Sequence, residues 1–229
     1  MIKTQNGVFN IDMDDCYIRN HMLSGRVYEH HIINGMLKPH VEKATYIVDC
    51  GANIGCHCVS YAGMSPDAFI WAFEPQKKLF DILKTNVSIN GYGDRIRLYN
   101  KGLGHTEAEL ELHSMDRVED KAHMGWNKGG LGIGKGGEKL EIQTLDSMHL
   151  PGLDYMKIDV EGAEGLVIQG ARETIKKFKP IIVFEHNSVT INPSHVGLEH
   201  VPTPFEELVK IGYKKFQYLD WENYIAFAS

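Results

Sequence analysis

From Thr45 onward the chain alternates short β-rich runs with stretches of helical period, and this alternation limits the possible folds more than any other feature. Apolar runs of this kind are buried on both faces, so successive runs build a parallel sheet covered by helices. Tyr46-Ile47-Val48 opens a first strand ending at Asp49-Cys50-Gly51, and a helix is predicted from about Gly55 to Gly63. Ala68 to Phe73 forms a second strand, closed by Glu74-Pro75 because proline cannot donate to a buried ladder. Leu79, Ile82, Leu83, Asn86, Val87 and Ile89 keep helical spacing as far as a cap at Asn90-Gly91. Ile96 to Tyr99 is a third strand and Tyr155 to Asp159 a fourth; a helix from about Gly162 to Phe178 leads to a fifth, Ile181 to Glu185. After a helix near Phe205 to Ile211, Tyr213 to Leu219 and Tyr224 to Ala228 form a hairpin. The expected fold is α/β: a mostly parallel seven-stranded sheet with an antiparallel C-terminal edge strand.

Two regions break this rhythm. Residues 1–45, with a short strand at Gly7 to Ile11 and a helical segment from Val27 to Val41, are expected to cap a domain spanning 46–229. Between alternating runs at Glu107 to His113 and Lys139 to Thr144 lies a glycine-rich loop, 125–137, with six glycines from Gly129 to Gly137. Glycine in such numbers packs poorly as helix or strand. The loop is either a linker between strands or a lid.

Composition narrows the function. The 229 residues are 43% hydrophobic and 24% charged, enough to bury a core. A net charge of −6 gives no overall positive field for nucleic acid or an anionic membrane. No apolar run approaches the roughly 20 residues of a membrane span, and the N-terminus lacks the pattern of a secretory signal, so a cytoplasmic protein is expected. Cys16, Cys50, Cys56 and Cys58 are too few to staple the chain, and Cys56-His57-Cys58 lacks the spacing of a zinc site; buried thiols are expected.

In open α/β sheets ligands lie beyond the carboxyl ends of the strands. There the sequence places Asp49-Cys50-Gly51-Ala52-Asn53-Ile54-Gly55, Glu74-Pro75, Lys101-Gly102, Asp159-Val160-Glu161-Gly162 and Glu185-His186-Asn187. Gly51 and Gly55 allow a sharp turn close to a ligand. Asn53 stands where a dinucleotide loop carries its second glycine, and Asp49 repels phosphate but attracts a cation. Glu74 is placed to accept from both ribose hydroxyls. Adenosine with a cationic amino-acid tail fits these residues better than NAD.

The ordered runs YIVDCGANIG, FEP, DYMKIDVEGAEGLVIQGA and KPIIVFEHN resemble the FkbM family of S-adenosylmethionine-dependent methyltransferases, over roughly Tyr28 to Glu185. The resemblance implies a Rossmann-like class I methyltransferase fold. It carries Asp49, Gly51, Asn53 and Gly55 over as the cofactor loop and Glu74 as the ribose acid; Ala52, Pro75, Lys101, Gly102 and Asp159 complete the expected cofactor set. Tyr28-Glu29 matches a pair preceding the family's first strand, and Asp146, Asp159, Glu161, Gly162 and Glu164 match its later motif. Met115 to Glu138 departs from the pattern.

The expected activity is O-methyl transfer to a hydroxyl of a sugar, glycan or small molecule, with no nucleic acid or membrane partner. The preference for a sugar rests on the resemblance alone. Candidate catalytic residues are Asp159, Glu185, His186 and Lys157. Asp159 and Glu185, with Asn187, would suit Mg²⁺, an arrangement resembling that of small catechol-type O-methyltransferases; without metal, His186 would be the base. Plainer roles stand beside these: helix-opening carboxylates at Glu161 and Glu164, a Lys157–Asp159 pair, and hydrogen-bonded structural residues at Glu185 and His186. The rival functions are an NAD-dependent oxidoreductase and a non-catalytic binding module.

Overall fold

The computed structural model describes residues 1–12, 15–113, 132–187, 191–220 and 222–228. Its centre is a seven-stranded sheet built from β3 (Tyr46–Cys50), β4 (Phe69–Phe73), β5 (Ile96–Tyr99), β9 (Tyr155–Ile158), β10 (Ile181–Glu185), β11 (Tyr213–Asp220) and β12 (Asn223–Ala228). Their spatial order is β11-β12-β10-β9-β3-β4-β5. The chain leaves β3 toward one edge and returns through β9 on its other side, so the strand order reverses between β3 and β9.

Period-two alternation sends successive side chains to opposite faces, and two cores result. Ile47, Ile70, Tyr155, Val183 and Ile225 join one cluster; Val48, Met156, Ile182, Phe184 and Ala226 join the other. Helices α3 (Cys56–Met64) and α4 (Lys77–Ile89) cover the first face. On the second lie α5 (Glu164–Gly170), α6 (Arg172–Phe178) and α7 (Pro204–Lys210).

Residues 1–45 pack into the first core through Phe9, Met22, Ile33 and Leu37. They comprise a hairpin of β1 (Ile2–Thr4) and β2 (Gly7–Phe9), then α1 (Cys16–Met22), a π-helical stretch at Ile32–Leu37 and α2 (Lys38–Val41). Two buried or half-buried amides, one in α4 and one at its C-cap, hold this cap. Asn86 accepts from Asn10 N–H at 2.6 Å and donates to the Asn10 and Ile54 carbonyls at 2.9 and 2.7 Å. Asn90 accepts from Val8 N–H at 2.9 Å and donates back to the Val8 carbonyl at 2.7 Å. Each side chain thus imitates a strand partner.

Three expectations change in detail. The antiparallel C-terminal strand is present, but β12 lies between β10 and β11, so β11 forms the edge. Burial decides this: Ile225 and Ala226 are core residues, whereas Lys214, Lys215 and Tyr218 of β11 are exposed. The helix expected from Gly162 to Phe178 is two helices divided at Ala171. Gly170 packs against the Gly104 backbone, and Asp146 accepts from Glu173 and Thr174 N–H at 3.0 and 2.8 Å, capping α6 afresh. The alternating runs form a separate sheet of β6 (Gly102–Leu103), β7 (Ala108–His113) and β8 (Gly136–Gln143), in the order β6-β8-β7. Of the 125–137 loop, residues 125–131 lie outside the described residues, and Gly136-Gly137 already belong to β8.

Candidate functional site

The side chains of Asp49, Lys157, Glu185 and Asn223 share the parity of the first-core residues Ile47, Tyr155, Val183 and Ile225, so they project toward the cap and α3. Register aligns them into a row: Asp49 opposes Lys157, and Glu185 opposes Asn223. His186, of opposite parity, turns away. Its ring packs edge-on against Phe205 at 5.2 Å and approaches Tyr224 at 6.5 Å, while its N–H donates to the Glu222 carbonyl at 2.8 Å. The expected His186 base therefore lies outside the carboxylate cluster, displaced by the strand's own alternation.

The loop after β3 turns with Gly51 at φ +76°, Asn53 at +51° and Gly55 at +95°. A Cβ on Gly51 would overlap the Asp159 carbonyl oxygen, so only glycine lets this loop meet the end of β9. Beneath it Asp49 is fully buried, facing Lys157 and the Cys58 N–H without a close, well-aligned hydrogen bond to either carboxylate oxygen; Asn53 Oδ1 is unsatisfied. Unpaired buried acceptors are costly, and a site meant for a donor is where they are kept.

Lys157 ties the halves of the site together. Its Nζ donates to the Gly51 carbonyl at 3.0 Å, lies 3.0 Å from Asp159 Oδ2 and 3.7 Å from Asp49 Oδ1. Burial alone would lower its pKa; Asp159, Asp49 and Glu29 outweigh that and hold the ammonium charged. This is a structural pair more than a proton donor.

Glu74, at the end of β4, accepts from Asn53 N–H at 2.9 Å and Gln76 N–H at 2.8 Å, and its carboxyl is pushed up to about 7 chiefly by burial. Asn100, which sequence reasoning missed, donates to the Glu74 and Pro75 carbonyls at 3.0 and 2.9 Å and fixes that bend. Gly102 is buried against Ile142. Lys101 instead points along the small sheet to Glu141, 3.1 Å away, because β8 offers a carboxylate nearer than the pocket does.

Past β9, Asp159, Glu161 and Glu185 offer oxygens that all lie within 4.8 Å of one another. Glu161 takes φ +55°, a strained region for a residue with a side chain. Glu164 holds the turn ahead of α5 and makes no helix cap: its Oε1 accepts from Val160 and Gly162 N–H at 3.0 and 3.2 Å. Burial first, then repulsion from Asp159 and neighbouring glutamates, raises Glu161 to about 8 and Glu185 to about 9. Asn187 donates to Glu185 Oε2 at 2.8 Å. From the cap, Glu29 joins the same group, raised to about 7 by burial and by Asp159.

The whole arrangement is a carboxylate-rich pocket around one committed lysine. It suits a ligand bearing positive charge and hydrogen-bond donors, and it opposes a pyrophosphate. Cys50, Cys56 and Cys58 are buried free thiols, and the one possible metal-ligand group among the described residues is the carboxylate set. No helix among those residues is long and apolar enough to cross a membrane.

Comparison with known proteins gives the family. The methyltransferase FkbM domain matches residues 49–212. Hexuronic acid methyltransferase AglP of Haloferax volcanii is 28% identical over 156 residues, covering 67% of this chain and 61% of that protein. Methyltransferase sdnD of Sordaria araneosa is 26% identical over 157 residues, or 56% of this chain and 61% of its own. The chain thus spans about three fifths of the length of these relatives. The crystal structure of methyltransferase FkbM from Methylobacillus flagellatus KT aligns with a TM-score of 0.54 at 17% identity, over 80% of this chain and 43% of the other, a likeness of fold.

Proposed function

The chain belongs to the FkbM methyltransferase family, and from that premise we propose that it moves a methyl group from S-adenosylmethionine to a hydroxyl of a sugar, glycan or small molecule. The observation that carries this reading is Asp49, a fully buried carboxylate beneath the Gly51 bend held by a long contact to Lys157, with Glu74 at the neighbouring strand end. S-adenosylmethionine, when bound, supplies an activated methyl group on a sulfonium. Glu74 has lone pairs left that would accept from ribose hydroxyls, the Asp49–Gly55 loop would hold the adenosine, and Asp159 would attract the cationic part. Pro75 and Gly102 border the same cleft with backbone.

The chain must also align the acceptor and take its proton. Alignment alone is worth ~7 to 11 kcal/mol when reacting atoms are held close and in line. Glu185 is the favoured base: it has the parity of the cluster, whereas His186 faces the aromatic residues behind it. Burial and the neighbouring carboxylates raise the Glu185 carboxyl, and a cation entering the cluster would lower it again and favour the carboxylate form. Glu185 would take the acceptor hydroxyl's proton while the oxygen–methyl bond forms and the methyl–sulfur bond of the sulfonium breaks, leaving S-adenosylhomocysteine.

The printed name of the Haloferax relative, a hexuronic acid methyltransferase, supports a sugar acceptor. A second reading, in which Asp159, Glu161 and Glu185 hold Mg²⁺, is favoured by the proximity of their oxygens. Activity that survives exhaustive chelation removes it. The proposal itself is tested by titrating the protein with S-adenosylhomocysteine and screening sugar and phenolic acceptors for demethylated cofactor. Binding of NAD in place of S-adenosylhomocysteine would point to an oxidoreductase; binding without product from any acceptor would point to a non-catalytic module.

A further inference from the structure

Glu29 lies just before the helical segment, where its carbonyl accepts from Ile33 N–H at 3.0 Å, and it is among the most constrained residues of the cap. It sits in the turn before the π-helical stretch at φ +56°, where a residue bearing a Cβ is strained by roughly 1 kcal/mol or more. Its side chain is nearly buried and reaches two elements distant in sequence. Oε2 lies 3.3 Å from Nε2 of His57, the second residue of α3, and Oε1 accepts from Asn223 Nδ2 at 3.1 Å.

Neither contact neutralises the carboxylate. Asn223 is uncharged, and burial pushes the His57 pKa well down, which keeps that ring neutral. With Nε2 facing a carboxylate, the tautomer assigned to His57 carries its proton there. Asp159 repels Glu29, and Lys157 is already committed to Asp159 and the Gly51 carbonyl. Glu29 is therefore a buried carboxyl whose two direct side-chain partners are neutral donors, near enough to Lys157 and Asp159 to feel both charges.

Its place in the fold says which cation. His57 follows the Asp49–Gly55 loop directly, and Asn223 opposes Glu185 across β12 and β10, so Glu29 lies over the end of β9. A nucleoside whose ribose meets Glu74 at the end of β4 has β3 and then β9 beside it, two strands or roughly 10 Å away. This is the span of an amino-acid tail. Resting on the proposal that the pocket takes S-adenosylmethionine, we infer that Glu29, oriented by His57 and Asn223, binds the ammonium group of the cofactor's tail. A carboxylate there selects the ammonium end and turns the tail's own carboxylate away.

The test compares two ligands by calorimetry: S-adenosylhomocysteine, which has the tail, and 5′-methylthioadenosine, which lacks it. In Glu29→Gln, affinity for S-adenosylhomocysteine should fall about 10- to 100-fold, the range for a hydrogen bond to a charged group, with methylthioadenosine unchanged within about twofold. Glu29→Asp, which keeps the charge, should recover part of the loss and serves as the probe if the glutamine variant fails to fold. Equal weakening of both ligands would make Glu29 merely structural and overturn the inference. So would unchanged affinity for both, or intact affinity with a fall in kcat, which would mark Glu29 as acting on the acceptor. Wild-type protein that binds neither ligand defeats the pocket reading instead.

Discussion

Gly51 carries the heaviest demand placed on any one residue of the site. Its backbone is left-handed and its α-carbon abuts the Asp159 carbonyl, so Gly51→Ala should cost at least ~2 kcal/mol of stability by chemical denaturation and abolish cofactor binding. Lys157→Met should be costlier, about 3 to 5 kcal/mol, because it leaves the fully buried Asp49 without its cation and beside the half-buried Asp159. A variant as stable as wild type would show that the lysine is dispensable. Glu74→Gln replaces one of the two accepting oxygens with a donor and leaves the Asn53 or Gln76 N–H unpaired; S-adenosylhomocysteine affinity should drop about tenfold and the melting temperature should fall with it. Much of this was legible in the sequence, since Asp49, the glycines and Glu74 are local to strand ends. Glu29 was visible only as half of a matched pair, because its partners lie 28 and 194 positions away and no periodicity reports such contacts.

Among the elements, the central strands were readable because each is a short apolar run bounded by turn residues. What could not be read was the order of the final hairpin and the break at Ala171. Both depend on a neighbour: β12 pairs inward because its own side chains are the apolar ones, and α6 restarts because Asp146 waits at its N-terminus. Asn86 kept the spacing of an apolar face and proved to be a buried amide serving the cap. Asn86→Ala leaves the Asn10 and Ile54 groups without partners and should cost about 2 to 4 kcal/mol. Denaturant unfolding measures this, and proteolysis near residues 1–12 should quicken in parallel.

For the whole molecule, the concentration of raised carboxyls sets the response to pH. Glu29, Glu74, Glu161, Glu164 and Glu185 all stand above their ordinary 4.5, at about 7 to 9. A carboxyl raised on folding stabilises fully below the unfolded value and loses that contribution as pH rises through the folded one. The free protein should therefore melt at a lower temperature at pH 9 than at pH 5. Binding S-adenosylmethionine near pH 8 should release protons, seen as a binding heat that varies with the ionisation enthalpy of the buffer; a buffer-independent heat would mean that the carboxylates ignore the ligand. The seam between cap and α4 has a consequence of another kind. Asn90 precedes Gly91, and an asparagine–glycine peptide is the sequence most prone to deamidation. Ageing there would replace the amide that donates to the Val8 carbonyl with an acid that repels it. Stored protein should then drift to a lower isoelectric point and loosen first at its amino end, a slow clock written into the join.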